Sequence, residues 1–377
     1  MRVVLDSPLK IGIDARAAAD EPAGSGRYVR ELLRSLARLD SPHRFILYAR
    51  RRWQPERFDD RFTWRVVSAP GPLWHLETAT SANRCCDAFL STTSYLTCWA
   101  LRIPAVVVVF DMVAFDRSLR PQRRAGVIER MTLPRTVRRA AAIAAISEAT
   151  RDQLSARFPR AAAKTMVTPL GADAAFSPDA DGDAGVLARH GIAKPYLLSI
   201  GTLEPRKNLP RLIEAFTALP AEAEGRHRLV LIGPTGWDPG ETLAAVSANR
   251  DRVTTLGHVP DEELPALYRQ AELFCYPSLQ EGFGLPLLEA MQCGTAVVAS
   301  DRPSLVEVGG DAVRYVDPFS VDDLRTAIQD LLERPGGRAE LAARGRSRAK
   351  RFSWRLTAEQ TLALLVRAAS QGPLPAS

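Results

Sequence analysis

The chain has 377 residues, of which 46% are apolar and 25% charged, and its formal net charge is +7 at pH 7. This length and composition indicate a globular protein of about two domains and exclude a disordered or fibrous chain. No apolar run approaches the ~20 residues of a membrane-spanning helix, and Asp6, Pro8 and Lys10 interrupt the beginning of the chain, so we expect a cytosolic protein without a transmembrane segment or signal peptide.

Basic residues are concentrated in the first part of the chain. Residues 1–170 contain 28 Lys and Arg against 16 Asp and Glu, a net charge of +12, whereas the remainder has a net charge of −5. A basic face of this kind suits nucleic acid, an anionic membrane surface or an anionic substrate, or it is simply a solvated surface. The chain has neither an RNA-binding aromatic signature nor zinc-finger spacing, so nucleic acid is not favoured.

In the first half of the chain, strand-like runs alternate with helical periodicity, which is typical of α/β units around a parallel sheet. Strands are predicted at 9–16, at FILYAR from about 44, at 105–110 and at 141–146, with Ser147 as the N-cap of the next helix. Residues 174–185 are rich in Gly, Pro, Asp and Ala and lack periodicity, so they form the predicted linker after a first domain of residues 1–180. The helical spacing after the first strand is carried by Val29, Leu32, Leu33 and Leu36.

The same alternation resumes in the second half, where strands are predicted at 196–201, 228–233, 253–257, 273–278 and 295–300. A second domain therefore covers residues 186–352, and the predicted fold class is α/β with two doubly wound domains. Ligands of such sheets bind beyond the carboxyl ends of the strands, so the cleft between the two domains is the predicted active site. A last helix, residues 353–369, has its own apolar face and can pack on either domain.

A pair of cations follows the first strand of the second domain. Arg206 and Lys207 stand side by side after Pro205 and just before an amphipathic helix. Backbone N–H groups also point outward at a strand-to-helix turn, so this segment is a candidate phosphate site. The alternative is an ordinary pair of surface cations.

A glutamate and a glycine-rich turn precede the helix predicted at 285–292. Glu281 stands before Gly282, Phe283 and Gly284, and glycines there let a backbone approach a ligand beside a helix N-terminus. Glu289, about two turns down the helix, faces the same side, so the two carboxylates can hold hydroxyls at two points of an elongated ligand. Alternatively, Glu281 only caps the helix and Glu289 lies on its surface.

Cysteine and histidine spacings do not predict a metal or disulfide framework. The chain has five cysteines, an odd number without a CxxC pair, and five histidines without a ligand spacing. The adjacent Cys85 and Cys86 are interpreted as buried free thiols and not as a redox pair.

Several segments together resemble one family of enzymes. In chain order they are GSGRYVREL (24–32), AISEATRD (145–152), GTLEPRKN (201–208), GHVPDEEL (257–264), and LFCYPS (273–278) with the GFGLPLLE run (282–289) after Glu281. Over almost the whole chain they resemble the retaining, nucleotide-sugar-dependent glycosyltransferases of family 4, especially bacterial mannosyltransferases of surface polysaccharide assembly. The resemblance implies the GT-B fold, with two Rossmann-like domains facing each other across a cleft and a last helix that crosses back to the first domain.

The resemblance also implies a role for each matching residue. Arg206 and Lys207 neutralise the donor diphosphate as it leaves, Glu281 orients hydroxyls of the donor sugar, and Glu289 binds the ribose. The other implied donor contacts are Phe283, Gly284 and Leu285 around the sugar and phosphate, Val259 against the base, and Gly24 and Gly26 in an N-terminal loop that closes over the phosphates.

Position 110 departs from the family pattern. Many relatives carry a His-Asp pair after the strand that here reads AVVVVF, and this chain has Phe110 followed by Asp111. A histidine that touches the donor sugar is therefore absent, whereas Asp111 can keep a polar contact with the sugar or the acceptor. We expect the change to bear on the preferred sugar or, alternatively, to weaken activity.

Metal-dependent glycosyltransferases use an Asp-X-Asp motif, and this chain contains Asp179, Asp181 and Asp183. These residues lie in the predicted linker and not at a strand end. An EF-hand is excluded because Ala184 and His190 occupy its sixth and twelfth positions. We therefore predict no metal site and no cofactor, with the nucleotide sugar as a substrate.

The predicted reaction moves a hexose from a nucleotide sugar to a glycan or lipid-diphosphate-linked acceptor. Breaking the bond between the anomeric carbon and the phosphate gives the sugar oxocarbenium character, and the new negative charge on the diphosphate is stabilised by Arg206, Lys207 and the helix N-terminus at Gly284. Retention is ascribed to attack on the same face, with the leaving phosphate taking the acceptor proton. GDP-mannose is the first predicted donor and a UDP-sugar the second.

The sequence leaves three alternatives to this function. They are a nucleotide-sugar epimerase of the same fold, a binding protein without turnover, which Phe110 suggests, and a nicotinamide-dependent oxidoreductase, which Gly24-Ser25-Gly26 suggests. The oxidoreductase fits poorly, because Gly24 lies eight residues beyond Arg16 and Val29 occupies the third glycine position. The intact glutamate and cation motifs argue against a binding protein.

The basic first domain suggests one further partner. Because acceptors of polysaccharide synthesis are commonly attached to a lipid diphosphate, we expect this domain to dock peripherally on an anionic membrane, or else to present a solvated face. The candidate residues are Arg117, Arg120, Arg123 and Arg124, with Phe115 and Leu119 as apolar contacts.

Overall fold

The computed structural model describes residues 7–21, 24–54, 57–116, 123–179, 183–220 and 227–370. The chain divides into two compact units. The first unit comprises the residues up to Gly171 and those from Ser353 onward, and the second unit comprises Ala172–Phe352.

The first unit is built on a sheet of seven parallel strands in the order β3-β2-β1-β4-β5-β6-β7. Helices cover both faces of such a sheet, so its inner strands read as continuous apolar runs. All five residues of the valine-rich run at 105–109 are buried accordingly. The strands are β1 (Lys10–Asp14), β2 (Arg44–Ala49), β3 (Phe62–Val66), β4 (Ala88–Ser91), β5 (Ala105–Val109), β6 (Ala142–Ala145) and β7 (Thr165–Val167).

Helices of the first unit bury the faces that their periodicity predicts. The side chains of Val29, Leu32, Leu33 and Leu36 are all fully buried, and Ser147 accepts a hydrogen bond of 3.0 Å from the backbone N–H of Thr150, which confirms the predicted N-cap. The helices are α1 (Arg16–Asp20), α2 (Ser25–Arg38), α3 (Leu73–Cys85), α4 (Thr97–Ala100), α5 (Arg123–Arg139) and α6 (Glu148–Arg157), with 3-10 turns at Val113–Phe115 and Pro159–Lys164.

The second unit is built on six parallel strands in the order β10-β9-β8-β11-β12-β13. These strands are β8 (Tyr196–Ile200), β9 (Arg228–Ile232), β10 (Val253–Thr255), β11 (Leu273–Tyr276), β12 (Val297–Ser300) and β13 (Arg314–Val316). Its helices are α7 (Asp183–Arg189), α8 (Leu209–Thr217), α9 (Gly240–Ala248), α10 (Leu264–Gln270), α11 (Leu285–Gln292), α12 (Pro303–Gly309), α13 (Val321–Glu333) and α14 (Pro335–Ala349), with a 3-10 turn at Pro205–Lys207.

Both sheets have the doubly wound arrangement. Each places the first strand of its unit inside the sheet and reverses the strand order beside it, between β1 and β4 in the first unit and between β8 and β11 in the second. The predicted α/β fold class with two doubly wound, Rossmann-like domains is thereby confirmed.

The last helix, α15 (Trp354–Ser370), belongs to the first unit. It packs against α2 and against β4, β5 and β6. Its first turn is tied to the segment that ends the first unit, because the Thr357 hydroxyl donates a hydrogen bond of 2.6 Å to the carbonyl of Pro169. The Trp354 ring lies 6.0 Å from that of Tyr28 on α2.

The segment predicted as a linker, residues 174–185, is instead part of the second unit where the structure describes it. Phe176 is buried and packs edge-on against Tyr268 at a centroid distance of 5.8 Å. Asp183 begins α7 and forms an ion pair of 2.7 Å with Arg269, which also donates to the Ser177 carbonyl at 2.8 Å. These contacts fix a polar sequence to the domain surface, so the units divide at Gly171, ahead of the boundary predicted at residue 180.

Candidate active site

In the second sheet, β8 and β11 are neighbours although β9 and β10 separate them along the chain. The strand order reverses between them, and ligands of doubly wound sheets bind at such a point, beyond the carboxyl ends of the strands. Arg206 and Lys207 lie in the 3-10 turn after β8, and Glu281 lies in the loop after β11. The fold therefore brings the two predicted motifs together at a position suited to a ligand.

Glu281 forms ion pairs with both cations of the other motif. Its Oε2 lies 2.8 Å from Nη1 of Arg206, and its Oε1 lies 2.6 Å from Nζ of Lys207. Nζ of Lys207 also donates a hydrogen bond of 2.8 Å to the Tyr276 hydroxyl. Only 8% of the Lys207 side chain and 9% of the Glu281 side chain are exposed, so their charges interact in a poorly solvated environment.

Burial and charge act in opposite directions on this cluster. Burial on its own raises the pKa of Glu281, but Arg206 and Lys207 outweigh it and lower that pKa to about 2. Burial lowers the pKa of Lys207, and Glu281 opposes that effect. The carboxylate of Glu281 is therefore ionised at neutral pH.

A second carboxylate completes the cluster. Oε1 of Glu204 lies 2.5 Å from Nε of Arg206, so the guanidinium bridges Glu204 and Glu281. The two cations and two carboxylates have no net formal charge together. An anion bound here would share the donors of Arg206 and Lys207 with carboxylates that already orient them. Sequence reasoning did not single out Glu204, although it stands two residues before Arg206.

Asn208 connects the two loops of the site and was also missed. Its backbone is left-handed, with φ of 57°, and its side-chain amide donates to the carbonyls of Pro277 at 3.1 Å and Pro318 at 2.7 Å. The carbonyl of Arg206 accepts a hydrogen bond of 2.8 Å from the N–H of Leu279. These hydrogen bonds fix the turn that contains Arg206 and Lys207 against the loop that contains Glu281. An asparagine directly before a helix is the signal that the sequence offered.

Gly284 begins α11 in a conformation that other residues rarely adopt. Its φ is 101°, and a Cβ there would lie 2.6 Å from Cδ2 of Leu305. The Phe283 ring is buried and packs edge-on against Phe352 at 5.7 Å, so any contact with a ligand would involve its backbone. Leu285, the first residue of α11, is half-buried.

Glu289 lies on α11, and its side chain is almost completely buried. Its Oε2 accepts a hydrogen bond of 3.0 Å from the Tyr268 hydroxyl on α10. The carboxylate therefore has a structural partner that sequence reasoning did not identify. Val259, the residue implied for the base, is also buried, in the loop after β10.

In the first unit, Asp111 and Phe110 follow β5. Oδ1 of Asp111 accepts a hydrogen bond of 2.9 Å from the N–H of Val113 and the side chain is partly exposed. The Phe110 ring packs perpendicular to Tyr28 at a centroid distance of 5.0 Å. An aromatic contact thus occupies the position at which the family resemblance implies a histidine.

The two glycines implied for the N-terminal loop lie at the beginning of α2. Gly24 is its N-cap residue, with φ of 56° and open space around the position of a Cβ. At Gly26 a Cβ would lie 1.9 Å from the carbonyl oxygen of Glu21, so the glycine is required there by close backbone packing.

The Asp-X-Asp motif is only partly described. Asp183 is engaged by Arg269 at 2.7 Å, and Asp181 lies outside the described residues. Within the described ranges, no group of three or more His, Cys, Asp or Glu side chains is arranged to hold a metal ion. None of the described helices is both long enough and apolar enough to cross a membrane.

Two family models match the chain. The model described as Glycosyltransferase Family 4 matches residues 22–176, and the model described as Glycosyl transferases group 1 matches residues 188–350. The chain is 37% identical to the O-antigen chain mannosyltransferase B of Escherichia coli over 263 residues, which are 68% of this chain and 69% of that protein.

The serotype-specific mannosyltransferase WbdA of Escherichia coli is 36% identical over 174 residues, which are 45% of this chain but only 21% of that longer protein. Among solved structures, the sucrose-phosphate synthase of Thermosynechococcus elongatus superposes with a TM-score of 0.76, covering 96% of this chain and 100% of that one. Because the identity in that superposition is 20%, the likeness concerns the fold.

Proposed function

This chain belongs to glycosyltransferase family 4 and has its GT-B fold, and we propose that it transfers mannose from GDP-mannose to a glycan or lipid-diphosphate-linked acceptor with retention of configuration. The observation that carries the choice of mannose is the 37% identity to the O-antigen chain mannosyltransferase B over 69% of that protein. A UDP-sugar is the alternative donor.

In the proposed reaction, the donor diphosphate lies beside Arg206 and Lys207, whose charges offset the negative charge that develops as the anomeric C–O bond breaks. Glu281, oriented by both cations, accepts hydrogen bonds from hydroxyls of the sugar. The acceptor hydroxyl attacks the face from which the diphosphate departs, and a phosphate oxygen takes its proton. The new bond to the acceptor oxygen therefore keeps the anomeric configuration of the donor.

A panel of nucleotide sugars tests the donor. A ligand that binds only the folded state increases the free energy of unfolding, by about 2.7 kcal/mol at 100 times its Kd, and therefore raises the melting temperature. We expect GDP-mannose to stabilise the protein more than UDP-glucose, GDP-fucose or UDP-galactose, and NMR of the product to show the α-linkage of the donor. If only UDP-sugars stabilise the protein and serve in transfer, the donor is a UDP-sugar and not GDP-mannose. Release of the free epimeric sugar nucleotide would indicate an epimerase.

Metal independence is a second part of the proposal. Because two side-chain cations stand at the proposed diphosphate position, we expect EDTA to leave the initial rate unchanged and Asp179→Ala to transfer at the parental rate. Asp183→Ala is the matched control, since it breaks the pair with Arg269 and should lower the melting temperature without creating a metal requirement. Loss of activity on chelation, restored by manganese, would contradict the prediction.

We also propose that the first unit docks on anionic membrane through α5. Three apolar side chains of this helix, Val127, Ile128 and Met131, are exposed to solvent, and Met131 is 70% exposed. Of the predicted docking residues, Arg117, Leu119 and Arg120 lie outside the described residues, as do the side chains of Arg123 and Arg124. Phe115 is only half-exposed and packs edge-on against Phe158 at 5.7 Å.

Cosedimentation with phosphatidylglycerol vesicles tests the docking. We expect binding at low salt that falls as salt rises, because each basic residue near the surface contributes about 1 kcal/mol that ions screen. Ile128→Gln with Met131→Gln should weaken it, as should neutralising the four arginines, whereas Leu243→Gln, an exposed leucine of the second unit, should not. If the parent protein stays in solution at low salt, the basic half serves another purpose.

A further inference from the structure

The crevice between β1 and β4 is the counterpart, in the first unit, of the site described above. Both sheets have the same order for their first six strands, and the reversal falls between β1 and β4 as it does between β8 and β11. Asp14 ends β1 and Arg16 follows it closely, while Thr92 and Thr93 follow β4. By the rule that places ligands at this reversal, the crevice is a second candidate ligand site.

Arg16 is fixed there in one orientation. Its Nε and Nη2 donate to the carboxylate of Asp14 at 3.0 and 2.8 Å, and Asp14 is fully buried. The guanidinium carbon lies 3.9 Å from the centroid of the Trp74 ring, so the group is stacked on one face as well. Within the described residues Nη1 has no hydrogen-bond acceptor, and 15% of the Arg16 side chain is exposed. A preorganised donor edge is therefore available to a ligand.

A second cation stands at the same edge of the sheet. Arg50 follows β2, the neighbour of β1, and its side chain is exposed without an ion-pair partner in the described parts of the chain. Burial lowers the pKa of His75 to about 4, with Arg16 and Arg50 contributing in the same direction and Asp14 opposing, so both guanidinium groups act on one neutral imidazole. Arg51, by contrast, is paired with Asp20 at 3.1 Å.

Apolar side chains border the same place. Trp74 and His75 on α3 point into the unit and are buried, whereas Leu73 and Leu76 on the same helix are each more than half exposed. Residues three apart lie on one helix face, so the two leucines form one exposed apolar strip. This strip is adjacent in sequence to Trp74, on which the Arg16 guanidinium is stacked. Exposed leucines beside a cation site fit an anion that is attached to a hydrocarbon chain.

We propose that this crevice binds the phosphate of a lipid-linked acceptor, with Arg16 Nη1 and Arg50 holding phosphate oxygens and Leu73 and Leu76 contacting the lipid. Asp14 acts as a positioning residue, because it fixes the guanidinium of Arg16. The proposal rests on the proposed glycosyl transfer and assigns its acceptor site.

The test measures binding of farnesyl diphosphate by calorimetry, with the donor site filled by saturating GDP so that Arg206 and Lys207 are occupied. We expect Arg50→Gln to weaken binding about tenfold, as for the loss of one charge-assisted hydrogen bond, and Arg51→Gln, the neighbouring paired arginine, to leave it unchanged. Leu73→Ser with Leu76→Ser should weaken farnesyl diphosphate but not inorganic pyrophosphate. Since Arg16→Gln alone would leave Asp14 buried and unpaired, Asp14→Asn with Arg16→Gln serves as the second variant.

Several results would overturn the proposal. One is parental affinity for farnesyl diphosphate in Arg50→Gln and in the double variant Asp14→Asn, Arg16→Gln. Another is a loss of affinity in Arg51→Gln equal to that in Arg50→Gln. A third is binding of pyrophosphate as tight as that of farnesyl diphosphate, which would indicate a water-soluble phosphate ligand. The hypothesis of this acceptor site and the hypothesis of glycosyl transfer are separated by a transfer assay. The assay uses one glycan bearing either a farnesyl diphosphate or a neutral alkyl group. If Arg50→Gln does not raise KM for the diphosphate acceptor, this site is wrong, whereas absence of transfer to both acceptors would instead refute the proposed function.

Discussion

Replacing Lys207 with alanine is expected to lower turnover on the order of 100-fold, comparable to the loss of one preorganised donor in an oxyanion-type site. In the protein, Nζ of Lys207 lies 2.6 Å from Glu281 and 2.8 Å from the Tyr276 hydroxyl, nearly out of contact with solvent. The substitution removes a cation from the position at which negative charge is proposed to develop, and it leaves Arg206 as the remaining cation paired with Glu281.

The loss should appear in kcat more than in KM. An interaction made chiefly in the transition state lowers kcat, whereas equal loss of ground-state and transition-state binding raises KM. Lys194→Ala is the matched control, because that lysine lies in the same unit and donates a hydrogen bond to Gln270 at an exposed position. Turnover of Lys207→Ala within twofold of the parent, at an unchanged melting temperature, would remove this lysine from the reaction.

Most central strands were predictable because each is a continuous apolar run, but the short buried strand β4 was not predicted. The strand expected at 105–110 is observed at Ala105–Val109, and that expected at 141–146 at Ala142–Ala145. Strand β3 was not predicted, because it lies at the edge of its sheet and is mostly exposed, so its sequence lacks an apolar run. The linker was misplaced because a polar, glycine-rich segment is held by the buried pair of Asp183 and Arg269, which no local pattern reveals.

The residues of the site could be named from the sequence, but not their partners. Lys207 and Glu281 are 74 residues apart, and their contact depends on β8 and β11 being neighbours. The motifs were therefore interpreted as a phosphate clamp and a separate sugar-binding carboxylate, whereas the structure joins them in one ion-pair cluster. Arg16 was missed for a similar reason, since a single arginine after a strand has no distinguishing pattern until Asp14 and Trp74 are placed around it.

The roles proposed for the two glutamates differ, and so should their variants. Glu281→Ala is expected to reduce sugar transfer on the order of 100-fold, because the sugar loses an oriented carboxylate. Binding of GDP measured by calorimetry should stay near the parental value, since Arg206 and Lys207 remain and no longer share their donors with Glu281. A large loss of GDP affinity in this variant would show that Glu281 acts on the nucleotide and not on the sugar.

Glu289→Gln is expected to weaken GDP and GDP-mannose together by about tenfold, as for the loss of one hydrogen bond to a charged group, because its carboxylate is proposed to bind the ribose common to both. The contact with Tyr268 offers a competing explanation, in which Glu289 only ties α11 to α10. Tyr268→Phe separates the two explanations, because it removes the hydrogen bond to Glu289 but keeps the carboxylate. If Glu289 binds the ribose, GDP affinity in Tyr268→Phe should stay near the parental value. If both variants lower the melting temperature equally and neither changes GDP affinity, Glu289 has a structural role and the ribose is bound elsewhere.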